Sequence, residues 1–176
     1  HVALDSSRVA LVQDVETFNF SSLVDYLAEH YATDDDAPAG EPWEVTIEDV
    51  AVSDGVVIYR DVALAQEWVL SELSLASPCI YLDNAVTRID ASMLINDNGM
   101  LEGVADVNIS TFDFLFDGKL DGFNIADTYN YIYPVVNLKG IGGVIGAECH
   151  LEGSILDILA MSISGDISAS KVSLLG

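Results

Sequence analysis

Apolar and polar positions alternate along most of this chain, and the alternation predicts strands rather than helices. Residues 9 to 20 read as a first strand ending in Asn19-Phe20. Ser22-Leu23-Val24-Asp25 then fits a capping box, in which a hydroxyl and a carboxylate each satisfy an orphan helix amide. Leu23, Leu27 and Tyr31 fall one helical turn apart and predict a short amphipathic helix. An acidic loop through Asp34, Asp35, Asp36, Pro38 and Gly40 follows. Trp43, Val45 and Ile47 resume the alternation, and Val50 and Val52 continue one step out of phase. That slip predicts a bulge at Glu48-Asp49. Asp54-Gly55 predicts a hairpin turn, with an Arg60-Asp61 pair closing the second strand.

The pattern then repeats with turns between. Val69, Leu73 and Leu75 belong to one strand, and Ile89, Ala91, Met93 and Ile95 to the next, before a turn at Asn96-Asp97-Asn98-Gly99. Ala105, Val107 and Ile109 follow, and a change of phase brings in Phe112, Phe114 and Phe116. Asn124 predicts the cap of a second short helix near 125–133, carrying Ile125, Tyr129 and Ile132 and stopped by Pro134. Strands resume at Ile141, Gly143, Ile145, Ala147, Cys149 and Leu151, and close with Met161, Ile163 and Ile167. Units recurring about every 10 to 16 residues suit an antiparallel meander. The expected fold is mainly β: an antiparallel, strongly twisted sheet curled into a groove or partial barrel, with two short helices. It forms a single module over 1–176, with strand, helix and acidic loop in 1–40 and the meander in 41–176. The absence of an initiator Met suggests a fragment of a longer chain.

Charge narrows the partners. Six Lys and Arg stand against 29 Asp and Glu, a net charge of −23. Phosphate binding needs the residues this chain lacks, so no nucleic-acid partner is expected. Electrostatic docking on anionic headgroups is disfavoured for the same reason, and any lipid contact must be hydrophobic. Apolar residues make up 51% of the chain, too many for an acidic disordered segment. The least polar stretch, 129–147, contains Pro134, Lys139 and four glycines and does not read as a membrane span.

Candidate chemistry is sparse. Glu148, His150 and Glu152 share one strand face, where imidazole and carboxylates could hold zinc. A solvated face of an acidic strand looks the same, and that reading is preferred. The 96–99 turn lacks the ligand spacing of a calcium loop. No nucleophile elbow, phosphate loop or zinc-protease motif occurs, so neither an enzyme, a cofactor nor a metal is expected. Cys149 is in phase with the inward residues and Cys79 follows Pro78; a disulfide between them stays open, and two cysteines do not fix a compartment.

The order of elements resembles the periplasmic region of the AsmA-like family of Gram-negative envelope proteins. The resemblance is carried by Thr17-Phe18-Asn19-Phe20 with its helix and by the 43–61 unit around Asp54-Gly55. Further matches are Gly118-Lys119-Leu120-Asp121-Gly122, Gly143 to Gly153, and Ser164-Gly165-Asp166-Ile167. It implies a non-enzymatic periplasmic module, anchored to the inner membrane by a segment outside these residues. The implied role is outer-membrane biogenesis by phospholipid binding and transfer along a β groove, with envelope proteins as partners. A buried methylene contributes about 0.8 kcal/mol, so a sixteen-carbon acyl chain needs roughly 12 kcal/mol of apolar cover. The candidate lipid contacts are Ile89, Met93, Val107, Ile109, Phe114, Ile145 and Ile163. The competing expectation is a closed β module for protein interaction, without a lipid. Either way, an uncovered edge strand would favour self-association.

Overall fold

A computed structural model describes residues 1–15, 17–23, 26, 46–81, 85–136, 138–154 and 157–176. Ten strands in these residues form a single, mostly antiparallel sheet that does not close into a barrel. Strands β1 (Val2–Asp5), β2 (Arg8–Asp14) and β3 (Thr17–Phe18) precede β4 (Thr46–Asp61) and β5 (Gln66–Tyr81). The meander continues through β6 (Val86–Ile95), β7 (Gly99–Asn108), β8 (Asp113–Asn124), β9 (Gly140–Ser154) and β10 (Asp157–Leu175). Their spatial order is β10-β9-β8-β7-β6-β5-β4-β2-β3, with β1 also on β4.

From β4 to β10 each strand pairs with its sequence neighbour, as alternation with short turns dictates. The β6–β7 turn is tight: Asn96 and Asp97 both take left-handed φ, and Asn98 N–H donates to Ile95 O. Asn, Asp and Gly tolerate that conformation best. Asn124 caps as expected, its Oδ1 accepting from Ala126 N–H at 3.1 Å. A 3-10 turn (Ile125–Thr128) runs into a single α-helical turn (Tyr129–Ile132), which ends before Pro134.

Several expectations are corrected. Asp54-Gly55 is not a hairpin, because β4 runs straight through it. The register with β5 gains a residue in β4 at Asp54 and returns the extra residue at Glu72, both at left-handed φ. Apolar residues on either side therefore stay in phase, and nothing forces the chain to reverse. Reversal comes at 62–65, where Asp61 Oδ1 accepts from Leu64 N–H. Arg60 pairs with Glu67 across that hairpin instead of with Asp61. The bulge expected at Glu48-Asp49 is likewise absent from the β4–β5 register, although Asp49 takes left-handed φ.

The strand expected from Val9 to Phe20 is broken at Val15, also left-handed, and Thr17–Phe18 folds back on Gln13 and Asp14. Strands β1 and β2 lie parallel to β4, a departure from the pure meander. Finally, Ile109 and Phe112 lie in the β7–β8 turn, whose amides at Ser110 and Thr111 donate to Asn108 Oδ1. Leu27, Tyr31, the acidic loop at 34–40, Trp43 and Val45 lie outside the described residues, as do Val24 and Asp25 of the capping box.

Burial is shallow. Ile58 is the buried hydrophobic residue among those described, and most strand positions are half-buried. A compact monomer of this mass exposes about 8,300 Å²; this chain exposes 11985 Å². Among the described residues no second layer lies over the sheet, which contributes to that difference.

Candidate functional site

Registers across β5 to β10 sort the side chains onto two faces, because directly paired residues point the same way. One face is apolar. It carries Ile89, Ala105, Phe116, Leu151 and Ile163 as one cross-strand row, and Met93, Leu101, Leu120, Ala147 and Ile167 as another. Between them runs a row of small residues: Ala91, Gly103, Gly118, Cys149 and Gly165, continued by Leu75 on β5. Six strands wide, this row spans about 24 Å at the usual strand spacing.

The glycines in it have a steric reason. A Cβ on Gly103 would come within 2.7 Å of Phe116 Cζ, and one on Gly118 would collide with the same ring. The Phe116 ring therefore lies over both glycines. The small row is a bed for it, and the flanking rows stand higher on either side.

Of the candidate lipid contacts, the structure brings Ile89, Met93, Val107, Phe114, Ile145 and Ile163 onto this one face. Ile163 is 68% exposed and the others are half-buried. Ile109, in its turn, does not join them.

One end of the apolar face is capped. Trp68 stacks on Phe123 at 5.9 Å between centroids and on Tyr131 at 6.3 Å, and its Nε1–H donates to the Tyr131 hydroxyl. Asn130 Nδ2 donates to Gln66 Oε1 at 3.0 Å, and Asn96 Nδ2 to Asp127 Oδ2 at 3.0 Å. These bonds latch the short helix to β5 and to the β6–β7 turn. Tyr59 Oη donates to Gln13 Oε1 nearby. Burial pushes the Tyr59 phenol above its ordinary value, with Tyr131 and Asp61 adding to the effect.

The opposite face is polar and acidic. A hollow of about 760 Å³ opens there, lined by Asp90, Glu102, Asp117, Lys119, Glu148 and His150 among others. A second, of about 800 Å³, lies nearer the β7–β8 turn, beside Asp106 and Glu152. Both hollows open on the polar face; of the candidate lipid contacts, Phe114 alone lines one of them, the second.

Glu148, His150 and Glu152 do share that polar face. His150 Nδ1 lies 2.6 Å from Asp117 Oδ1, while its Nε2 is 3.8 Å from Glu152 Oε2. The hydrogen bond to Asp117 raises the imidazole pKa above its ordinary value; burial opposes it, and the charges of Asp117 and Glu152 add to it. No metal-holding cluster occurs among the described residues. Asp117 is the partner that pattern reading missed, because it lies on the neighbouring strand and only the register reveals it.

Cys79 and Cys149 are both free. Four strand intervals separate β5 from β9, about 19 Å, far beyond disulfide reach.

No family model matches the chain, and neither a curated protein nor a solved structure does. No helix among the described residues is long and apolar enough to cross a membrane.

Proposed function

We propose that this chain is a non-enzymatic lipid-binding module, whose apolar sheet face takes up the acyl chain of a phospholipid. The carrying observation is the contiguous apolar face of the sheet, which among the described residues is capped by the short helix at one end only. Monomeric soluble proteins rarely leave patches beyond a few hundred Å² uncovered unless something binds there. The Phe116 ring fills the middle of the small-residue row, so an acyl chain would lie on the apolar surface that the ring and the two flanking rows present together. Across six strands that surface spans about 24 Å, more than the roughly 15 Å that one leaflet's acyl chains occupy. On this reading the acidic face stays in water and keeps the module soluble. The resemblance to AsmA-like proteins supports a periplasmic setting, an inner-membrane anchor outside these residues and a part in outer-membrane biogenesis.

The test is direct binding of a fluorescent phospholipid to the purified protein. Met93→Asp should reduce binding by about tenfold or more, since it sets a charge amid the apolar rows, while circular dichroism shows the sheet intact. Unchanged binding by a folded Met93→Asp protein sinks the proposal.

The 760 Å³ acidic hollow supports a second reading, in which the polar face receives a basic segment of an envelope protein. Such binding would weaken steeply with salt. Phospholipid binding through the apolar face would not.

A further inference from the structure

One end of the sheet gathers exposed apolar side chains on its turns. Strands β2, β4, β6 and β8 all run toward it. Val15 follows β2, Val62-Ala63-Leu64-Ala65 follows β4, and the helical turn with the loop Tyr133-Pro134-Val135-Val136 follows β8. Val135 is 84% exposed and Val15 69%, and Val62, Tyr131, Tyr133 and Val136 are exposed as well. No charged residue occurs from Thr128 to Leu138, in a chain with 29 acidic ones.

These turns are tied together. Val62 N–H donates to Gln13 O, Gln13 Nε2 to Val15 O at 2.8 Å, and Asn130 Nδ2 to Ala65 O at 3.3 Å. Tyr129 Oη closes the base of the last loop on Leu138 O. Within that loop the amides of Tyr133, Val135 and Val136 donate to Tyr129 O and Ile132 O, and Pro134 has no amide. In the 62–65 hairpin, Leu64 and Ala65 N–H are engaged by Asp61 Oδ1 and Val62 O. The exposed valines thus stand on backbone whose donors are already satisfied. Apolar surroundings require this, because nothing there replaces a lost hydrogen bond to water.

Residue type and charge identify the partner. Protein contact sites centre on Trp, Tyr and Arg and make little use of Val. Here valines lead and tyrosines flank them, the distribution a bilayer interface selects, with phenols at headgroup level. A net charge of −23, with Asp14 and Asp97 at this same end, repels anionic headgroups. Tyr131 joins these turns to the apolar face through its stack with Trp68. We propose that this end of the sheet docks on a bilayer of zwitterionic phospholipid, with Val15, Val62, Tyr133, Val135 and Val136 entering the interface. The sheet then stands on the bilayer with its capped end down. This docking stands independently of acyl-chain uptake by the sheet face.

The test is flotation of the purified protein with phosphatidylcholine vesicles. Wild type should float with them, and replacing half the lipid by phosphatidylglycerol should release it. Val135→Asp should weaken partitioning by about tenfold while circular dichroism stays unchanged. Met93→Asp, on the sheet face, should float like wild type, so the two proposals fail separately. A second arm places an environment-sensitive dye at Val135→Cys in a Cys79→Ser, Cys149→Ser background. Its emission should shift to the blue with vesicles, whereas the same dye at Glu102→Cys on the acidic face should not respond. The dye still decides the matter if the aspartate variant fails to fold. Wild type that does not float overturns the proposal, as does flotation that needs anionic lipid or a folded Val135→Asp protein that floats undiminished.

Discussion

The two faces of the sheet share one backbone and one set of registers, yet they meet different physical demands. On the apolar face a side chain is constrained by what stands beside it. Phe116 lies flat because Gly103 and Gly118 beneath it carry no Cβ. On the polar face side chains reach into water, and their contacts are charge pairs such as Arg88–Asp106 at 3.7 Å and His150–Asp117 at 2.6 Å. Side-chain shape is therefore the constraint on one side, whereas on the other solvated charge pairs add little.

The largest effect should come from breaking shape. Gly118→Val sets a branched side chain where the Phe116 ring lies, and overpacking of this kind costs about 3 kcal/mol. Urea unfolding would show it, and a change below about 0.5 kcal/mol would mean that the ring moves freely. A smaller loss should follow from unlatching the helix. Trp68→Ala removes both ring stacks and the bond to Tyr131, with an expected cost of about 2 kcal/mol for a half-buried aromatic. Tyr131 fluorescence and amide exchange in Ile125–Ile132 should change with it. If those amides stay protected, the Asn96 and Asn130 bonds hold the helix alone.

The smallest effect belongs to the polar face and is a matter of sign. The folded-state pKa of His150 is raised, chiefly by its bond to Asp117. The contribution is therefore fully present below the unfolded value of about 6.5 and is lost as pH rises through the folded value. Asp117→Asn should lower the His150 midpoint measured by NMR and flatten that pH dependence. An unmoved midpoint would assign the shift to Glu152 instead.

Legibility in the sequence followed the same division. Local signals read true: the alternation of Ile89 to Ile95 and of Ile141 to Leu151, the Asn96–Gly99 turn, the Asn124 cap and the Pro134 stop. Signals that depend on distant partners did not. Asp54-Gly55 carries turn chemistry, but pairing with β5 and β2 on both sides keeps the strand extended. Ile109 fits the period of Val107, yet the Asn108 side chain folds the chain into a turn just there. Parallel pairing of β1 and β2 with β4 leaves no local trace at all. Of the apolar face, six of the seven named positions came together. The acidic hollow opposite was visible only as Glu148, His150 and Glu152, with Asp117 waiting on the next strand.

Asp54 and Glu72 have a third companion. Ser6 also takes left-handed φ, it faces Asp54 across the parallel pairing, and its hydroxyl reaches Asp54 Oδ2. Strands β1 and β2 keep one constant offset from β4 on both sides of it. Three neighbouring strands thus each carry one surplus residue at the same level, and the surpluses cancel. To insertions and deletions this behaves like a reading frame. Removing Asp54 alone should turn one half of β4 inside out, sending Val50 and Val52 to the acidic side and collapsing expression of soluble protein. Removing Ser6, Asp54 and Glu72 together should restore the frame and yield a folded chain three residues shorter. If the triple deletion fares no better than the single one, the three positions are not coupled.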